Sequence, residues 1–211
     1  MSETRYDKEI EHFGEEKGIE QLELLFILHT EREKRNELMK ELGRAKKGLK
    51  HGTIKETSSK VNQLKQVIQE YKKKCESLSS EIGDSYNIFE IKREIKDTTN
   101  YMKNLAKEYK KGNMELTAYE TTRIDYAQKL EKDIRYIKRL KLLARPFFND
   151  LKCDAYILEE ERQELRSERL ERKISKSEYL EKKKEIEKKK MLIRKKLVFL
   201  NSEIFEYYYN T

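Results

Sequence analysis

The chain has 211 residues, of which 42% are charged and 36% hydrophobic, with one proline, seven glycines and no tryptophan. Its 48 basic and 40 acidic side chains leave a net charge of +8, too small for self-repulsion to keep the chain unfolded. So few turn-formers cannot punctuate a many-stranded sheet, which excludes sandwiches, barrels and most α/β folds; a composition rich in Lys, Glu and Leu predicts long amphipathic helices.

Residues 1–16 are acidic and expected to fray, leaving 17–211 as a single helical domain. The polar N-terminus lacks the marks of a signal peptide, and no apolar run approaches the roughly 18 residues of a membrane span, so the expected compartment is the cytoplasm. Apolar residues then recur at alternating spacings of three and four, the signature of helices packed through a narrow seam. The first run is Leu24, Leu28, Leu38, Leu42, Ala45 and Leu49, interrupted by Glu31 and Arg35. The second is Val61, Leu64, Ile68, Tyr71, Cys75, Leu78 and Ile82, and the third Ile88, Ile91, Ile95, Thr98, Met102, Leu105 and Tyr109. A weaker run passes through Ala127, Leu130, Ile134 and Ile137 to Leu140 and Ala144, followed by Phe148, Leu151, Ala155, Leu158 and Leu165 with Arg162 on the seam. The last holds Tyr179, Ile186, Ile193, Leu197, Leu200, Ile204 and Tyr207, interrupted by Lys183 and Lys190.

The breaks between these runs set the topology. Gly52, Gly112 and Arg172 stand sixty residues apart, each ahead of a Ser/Thr-x-x-Glu pattern that caps a helix start: Thr53 with Glu56, Thr117 with Glu120, Ser175 with Glu178. These mark hairpin turns near 50–53, 111–116 and 171–175. Softer breaks fall at 83–85, after Gly83, and at Pro146. If both are turns, six helical segments form three αα-hairpins; if both are continuous, the chain has four helices, short-long-long-short. Seams this narrow favour an all-α, elongated antiparallel coiled coil over a globular bundle.

The residues offer little catalytic chemistry. His12, His29 and His51 are the only histidines. Glu9 and His12 have the Glu-x-x-His spacing of di-iron bundles, but such a site needs a second copy of that motif, and there is none. Gly43–Gly48 begins like a phosphate-binding loop, yet Leu49-Lys50 replaces the required Lys-Ser/Thr. Cys75 falls on its seam as a small core residue and Cys153 off it, half exposed; two cysteines make no disulfide or metal framework. We expect no catalytic, cofactor or metal site.

Charge is more informative. Residues 1–31 carry a net of −6, so the remaining 180 carry +14. The excess gathers at the first hairpin tip (Arg44, Lys46, Lys47, Lys50), in the last helix, and in 129–145, where Lys132, Arg135 and Arg139 share one helical stripe and Lys138, Lys141 and Arg145 a neighbouring one. Such stripes can track phosphates without reading sequence, or meet anionic lipid. Two apolar clusters stand out. Leu24, Leu25, Phe26 and Leu28, the densest apolar stretch, mark either the thickest part of the fold or a self-association contact. The tail residues Tyr207, Tyr208 and Tyr209 are expected to be buried between helices or between subunits, or else to form an aromatic docking patch. The function this predicts is structural or adaptor work by protein–protein contact or homo-oligomer formation. A nucleic-acid-associated role through the basic faces is the alternative, and remodelling of an anionic membrane surface the weaker one.

Overall fold

The computed structural model describes residues 15–48 and 54–206. Five α-helices lie among the described residues: α1 (Glu15–Gly48), α2 (Ile54–Glu81), α3 (Ile88–Lys110), α4 (Leu116–Leu170) and α5 (Lys176–Phe199). A six-residue π-helical turn, Leu200–Phe205, follows α5 directly. The fold is all-α and built from helical hairpins. It divides into two compact units, Met1–Ile91 and Lys92–Thr211.

In the first unit α1 and α2 run antiparallel. Leu42, Val61 and Leu64 form a buried cluster with Leu38, Ala45 and Ile68 against it, and Lys60 pairs with Glu41 at 3.0 Å. At the other end of the pair the Gly83 amide donates to Gln21 Oε1 at 2.9 Å. In the second unit α4 and α5 close in the same way around Leu158, Leu165 and Ile186, flanked by Ile174, Tyr179 and Ile193. The seam of α4 is a heptad row: Ile137, Ala144, Leu151, Leu158 and Leu165 are all buried, with Leu140 beside them.

The two soft breaks resolve differently, one as a turn and one within a helix, which gives five α-helices among the described residues. After Ile82 the chain turns. The Gly83 carbonyl accepts from the amides of Tyr86 (2.8 Å) and Asn87 (3.2 Å), and buried Asn87 caps α3 by accepting from the Glu90 amide at 3.4 Å while donating to Ser79 Oγ at 3.0 Å. Pro146 does not turn: it lies inside the 55-residue α4. A proline there removes one rung of the helical ladder and leaves the Leu142 carbonyl without its donor. Both residues are exposed, and α4 continues through them, about 82 Å long at 1.5 Å per residue.

The hairpin turns at 112 and 172 share one geometry. Each places a residue in the left-handed region, Gly112 at φ 76° and Arg172 at φ 59°. Around them the Asn113 amide donates to the Glu108 carbonyl (3.1 Å) and Gly112 to Tyr109 (2.9 Å), as Lys173 donates to Glu168 (2.9 Å) and Arg172 to Arg169 (3.2 Å). Both are Schellman closures, which satisfy helix-end carbonyls, and each next helix begins four residues on, at Leu116 and Lys176. The caps then differ. Ser175 and Glu178 form the expected capping box, at 3.1 Å and 2.9 Å. Thr117 and Glu120 do not, because α4 starts earlier, with Glu115 at its cap. The earlier start leaves Tyr119 stacked on Tyr109 with ring centroids 4.4 Å apart. The Thr53–Glu56 cap falls outside the described residues.

Arg172 carries a backbone conformation that costs an L-residue about 1 kcal/mol and glycine almost nothing. Arg172→Gly is expected to raise stability by about 0.5–1 kcal/mol in urea unfolding, and Gly112→Ala to lower it by about 1 kcal/mol.

Candidate interaction surfaces

The residues singled out in the sequence fall into three groups. Leu25, Phe26 and Leu28 are buried and Leu24 half-buried, which fits the thick-core alternative for this stretch. An apolar run is equally suited to a thick core, and here its side chains are consumed by the chain's own interior. Arg44, Lys46 and Lys47 are exposed near the end of α1. Lys50, His12, His51 and Tyr207–Tyr209 lie outside the described residues. Cys75 is buried as expected, and Cys153 is exposed.

The basic segment of α4 is less free than its composition suggests. Lys129 pairs with Glu94 of α3 at 3.3 Å, Arg135 with Glu131 at 2.7 Å, and the Lys132 ammonium sits 5.6 Å from the centre of the Tyr136 ring. Lys138 and Arg145 are exposed; Arg139 and Lys141 are half-buried. Part of the charge that would track phosphates is therefore already neutralised within the chain.

Two carboxylates occupy seam positions. Glu31, 5% exposed, meets Lys34 at 3.1 Å and Lys74 of α2 at 3.2 Å. Burial alone would push this carboxyl up, but the two lysine hydrogen bonds outweigh it and hold it below the usual carboxylate range. Asp133, 4% exposed, is the reverse case. It stands seven residues before Leu140 on the α4 seam, and its Oδ2 has no hydrogen-bond partner among the described residues. Burial, then repulsion by Glu94, raises its pKa against the opposing pull of Lys129 and Lys132. The apolar pattern does not reveal Asp133, but the heptad from Ile137 to Leu165, extended backward beside Leu140, does.

The outer face of α5, turned away from Ile186 and Ile193, interleaves two kinds of side chain. Leu180, Met191 and Val198 are 53%, 60% and 59% exposed. Between them Lys184, Lys188 and Lys195 are exposed and make no ion pair among the described residues. On the inner edge the charges are paired: Lys190 meets Glu159, and Arg162 bridges Glu159 (2.7 Å) and Glu187 (3.5 Å).

The third surface is a groove. The α3 and α4 backbones stand further apart than those of the other hairpins. Between them a cavity of about 410 Å³ is lined chiefly by Ile95, Met102, Leu105, Ala106, Leu130 and Ile134. Lys103 and Arg123 also reach it. No group of His, Cys, Asp and Glu among the described residues is arranged to hold a metal ion, and none of their helices is long and apolar enough to cross a membrane.

Because the native state holds the Asp133 proton more firmly than the unfolded chain, the stability this group contributes is present below the ordinary carboxylate range and lost as pH rises through its raised value. Asp133→Asn should flatten that part of the profile and raise the unfolding free energy from urea titration at pH 7 by about 1–2 kcal/mol. Glu31 has the opposite sign: its contribution is present above the ordinary carboxylate value and is lost as pH falls through its lowered one, a slope that Glu31→Gln removes. No family model, curated protein or solved structure matches this chain.

Proposed function

We propose that this chain is a non-enzymatic coiled-coil adaptor of the cytoplasm that joins proteins, or copies of itself, through helix faces its own hairpins leave uncovered. The observation that carries this reading is the outer face of α5. Leu180, Met191 and Val198 lie within an arc of about 20° on one flank of the helix, roughly 120–140° around from Ile186 and Ile193. Single exposed apolar residues need no explanation, but a row at helical spacing on a well-formed hairpin is what a helix-packing interface requires. The mechanism is mechanical: α4 and α5 fix the row in place, and the lysines between its members select a partner surface of opposite charge.

A second reading is supported by the same lysines. Lys184, Lys188 and Lys195, free of ion pairs among the described residues, favour sequence-independent contact with nucleic acid phosphates. Anionic lipid headgroups are a weaker third, since the apolar residues of the row are few for insertion.

Light scattering across a concentration series tests the first reading. The mass is expected to rise with concentration, and Met191→Glu with Val198→Glu to weaken association by about tenfold or more. A mass that stays monomeric, together with steeply salt-dependent binding to duplex DNA, would replace the adaptor reading with the nucleic-acid one.

A further inference from the structure

Between α3 and α4, seam residues at three-four spacing line an apolar gap, whereas the cleft beside Leu165 and Ile186 of the α4/α5 hairpin is walled mostly by charged side chains. In α1/α2 and α4/α5 the apolar rows interlock; between α3 and α4 they line about 410 Å³ of open space. The rim is polarised by charge. Along α3, Lys96, Lys103, Lys107 and Lys110 fall on the groove side, exposed and without an ion pair among the described residues. The acidic residues of α3, Glu90, Glu94, Asp97 and Glu108, fall on the other flank, where Glu90 is tied to Arg32, Glu94 to Lys129 and Glu108 to Lys111. From α4, Arg123 adds a cation to the lining itself.

We propose that this groove binds a third helix: an amphipathic segment of a partner protein whose apolar stripe fills the α3/α4 gap and whose acidic flank meets the lysine row. Three features of the site select that occupant. Side chains at three-four spacing on two helices form the holes that take the knobs of a third. The lysine row runs about 21 Å along α3 at 1.5 Å per residue, longer than any single anionic head group and matched by acidic residues repeating every turn or two of a helix. The apolar lining offers nothing to a nucleic-acid backbone. The proposal rests on the adaptor reading and supplies its partner class.

The probes are two labelled synthetic helices of 21 residues, with leucine at the two seam positions of each heptad and either glutamate or lysine on both flanks, followed by fluorescence anisotropy. The glutamate peptide is expected to bind the whole chain saturably and the lysine peptide not to bind. Lys96→Glu, Lys103→Glu and Lys107→Glu together are surface changes that leave the fold intact by circular dichroism; they should weaken the glutamate peptide roughly tenfold or more and transfer binding to the lysine peptide. Ala106→Phe, which fills the cavity, should abolish binding of either. Equal affinity for both peptides, no response to the lysine reversal, or binding that survives Ala106→Phe would each overturn the groove. So would a dimer in light scattering that Ala106→Phe returns to monomer, since the occupant would then be a second copy. Loss of the groove with association through the α5 row intact leaves the adaptor reading standing, whereas loss of the row alone leaves the groove.

Discussion

A chain this rich in charge has apolar residues for only a thin line of contact along each helix, and that scarcity governs the rest of the structure. Buried positions fall in a single narrow row, such as Ile137, Ala144, Leu151, Leu158 and Leu165 along α4. Burying one such side chain is worth about 1.5–3 kcal/mol, against about 0–1 kcal/mol for an exposed ion pair. The row therefore decides which helices pair, and the charges beside it trim the register. Long side chains widen the thin seam by lying along it: Lys152 sits 4.6 Å from the centre of the Phe148 ring, and Arg32 4.5 Å from that of Phe89.

Where so few positions are buried, a polar residue at one of them matters more than it would in a broad core. Glu31 and Asp133 resolve the same problem in opposite directions. Two lysines reach Glu31, one from its own helix and one from α2, so its charge becomes a link between helices. Asp133 faces another carboxylate instead, and its nearest cations lie on its own helix, one of them already spent on Glu94. A polar group at a seam position fixes register at a cost in stability. Asp133 bears that cost at the end of α4 that borders the open groove, while the buried cluster between α4 and α5 is made of Leu158, Leu165 and Ile186.

Much of the architecture was legible because helix period and turn chemistry are local. The seams of α2 and α3, the hairpins around Gly112 and Arg172, and the Ser175–Glu178 cap all follow from residues within a few positions of one another. What escaped the sequence depends on surroundings. Proline can open, kink or lie within a helix, and local spacing does not say which of these holds for Pro146, which lies inside α4 beside an exposed Leu142. The Leu24–Leu28 stretch reads identically as core or as interface, since both demand apolar side chains. The groove was invisible for a related reason: spacing along a helix says which face packs, but not how closely the neighbouring helix approaches.

Pro146 has a consequence for how α4 comes apart. The first part of this helix faces α3, through Tyr119, Tyr126 and Lys129, and its later part faces α5, through Leu158 and Leu165. The missing rung falls between those two regions. Amide protons along α4 should therefore not exchange as one block: protection dips around residue 146, and the stretches on either side open with separate free energies. An uninterrupted helix would transmit the opening of one hairpin into the other. With a proline at the joint, α3 can part from α4 while the pairing of α4 with α5 stays shut.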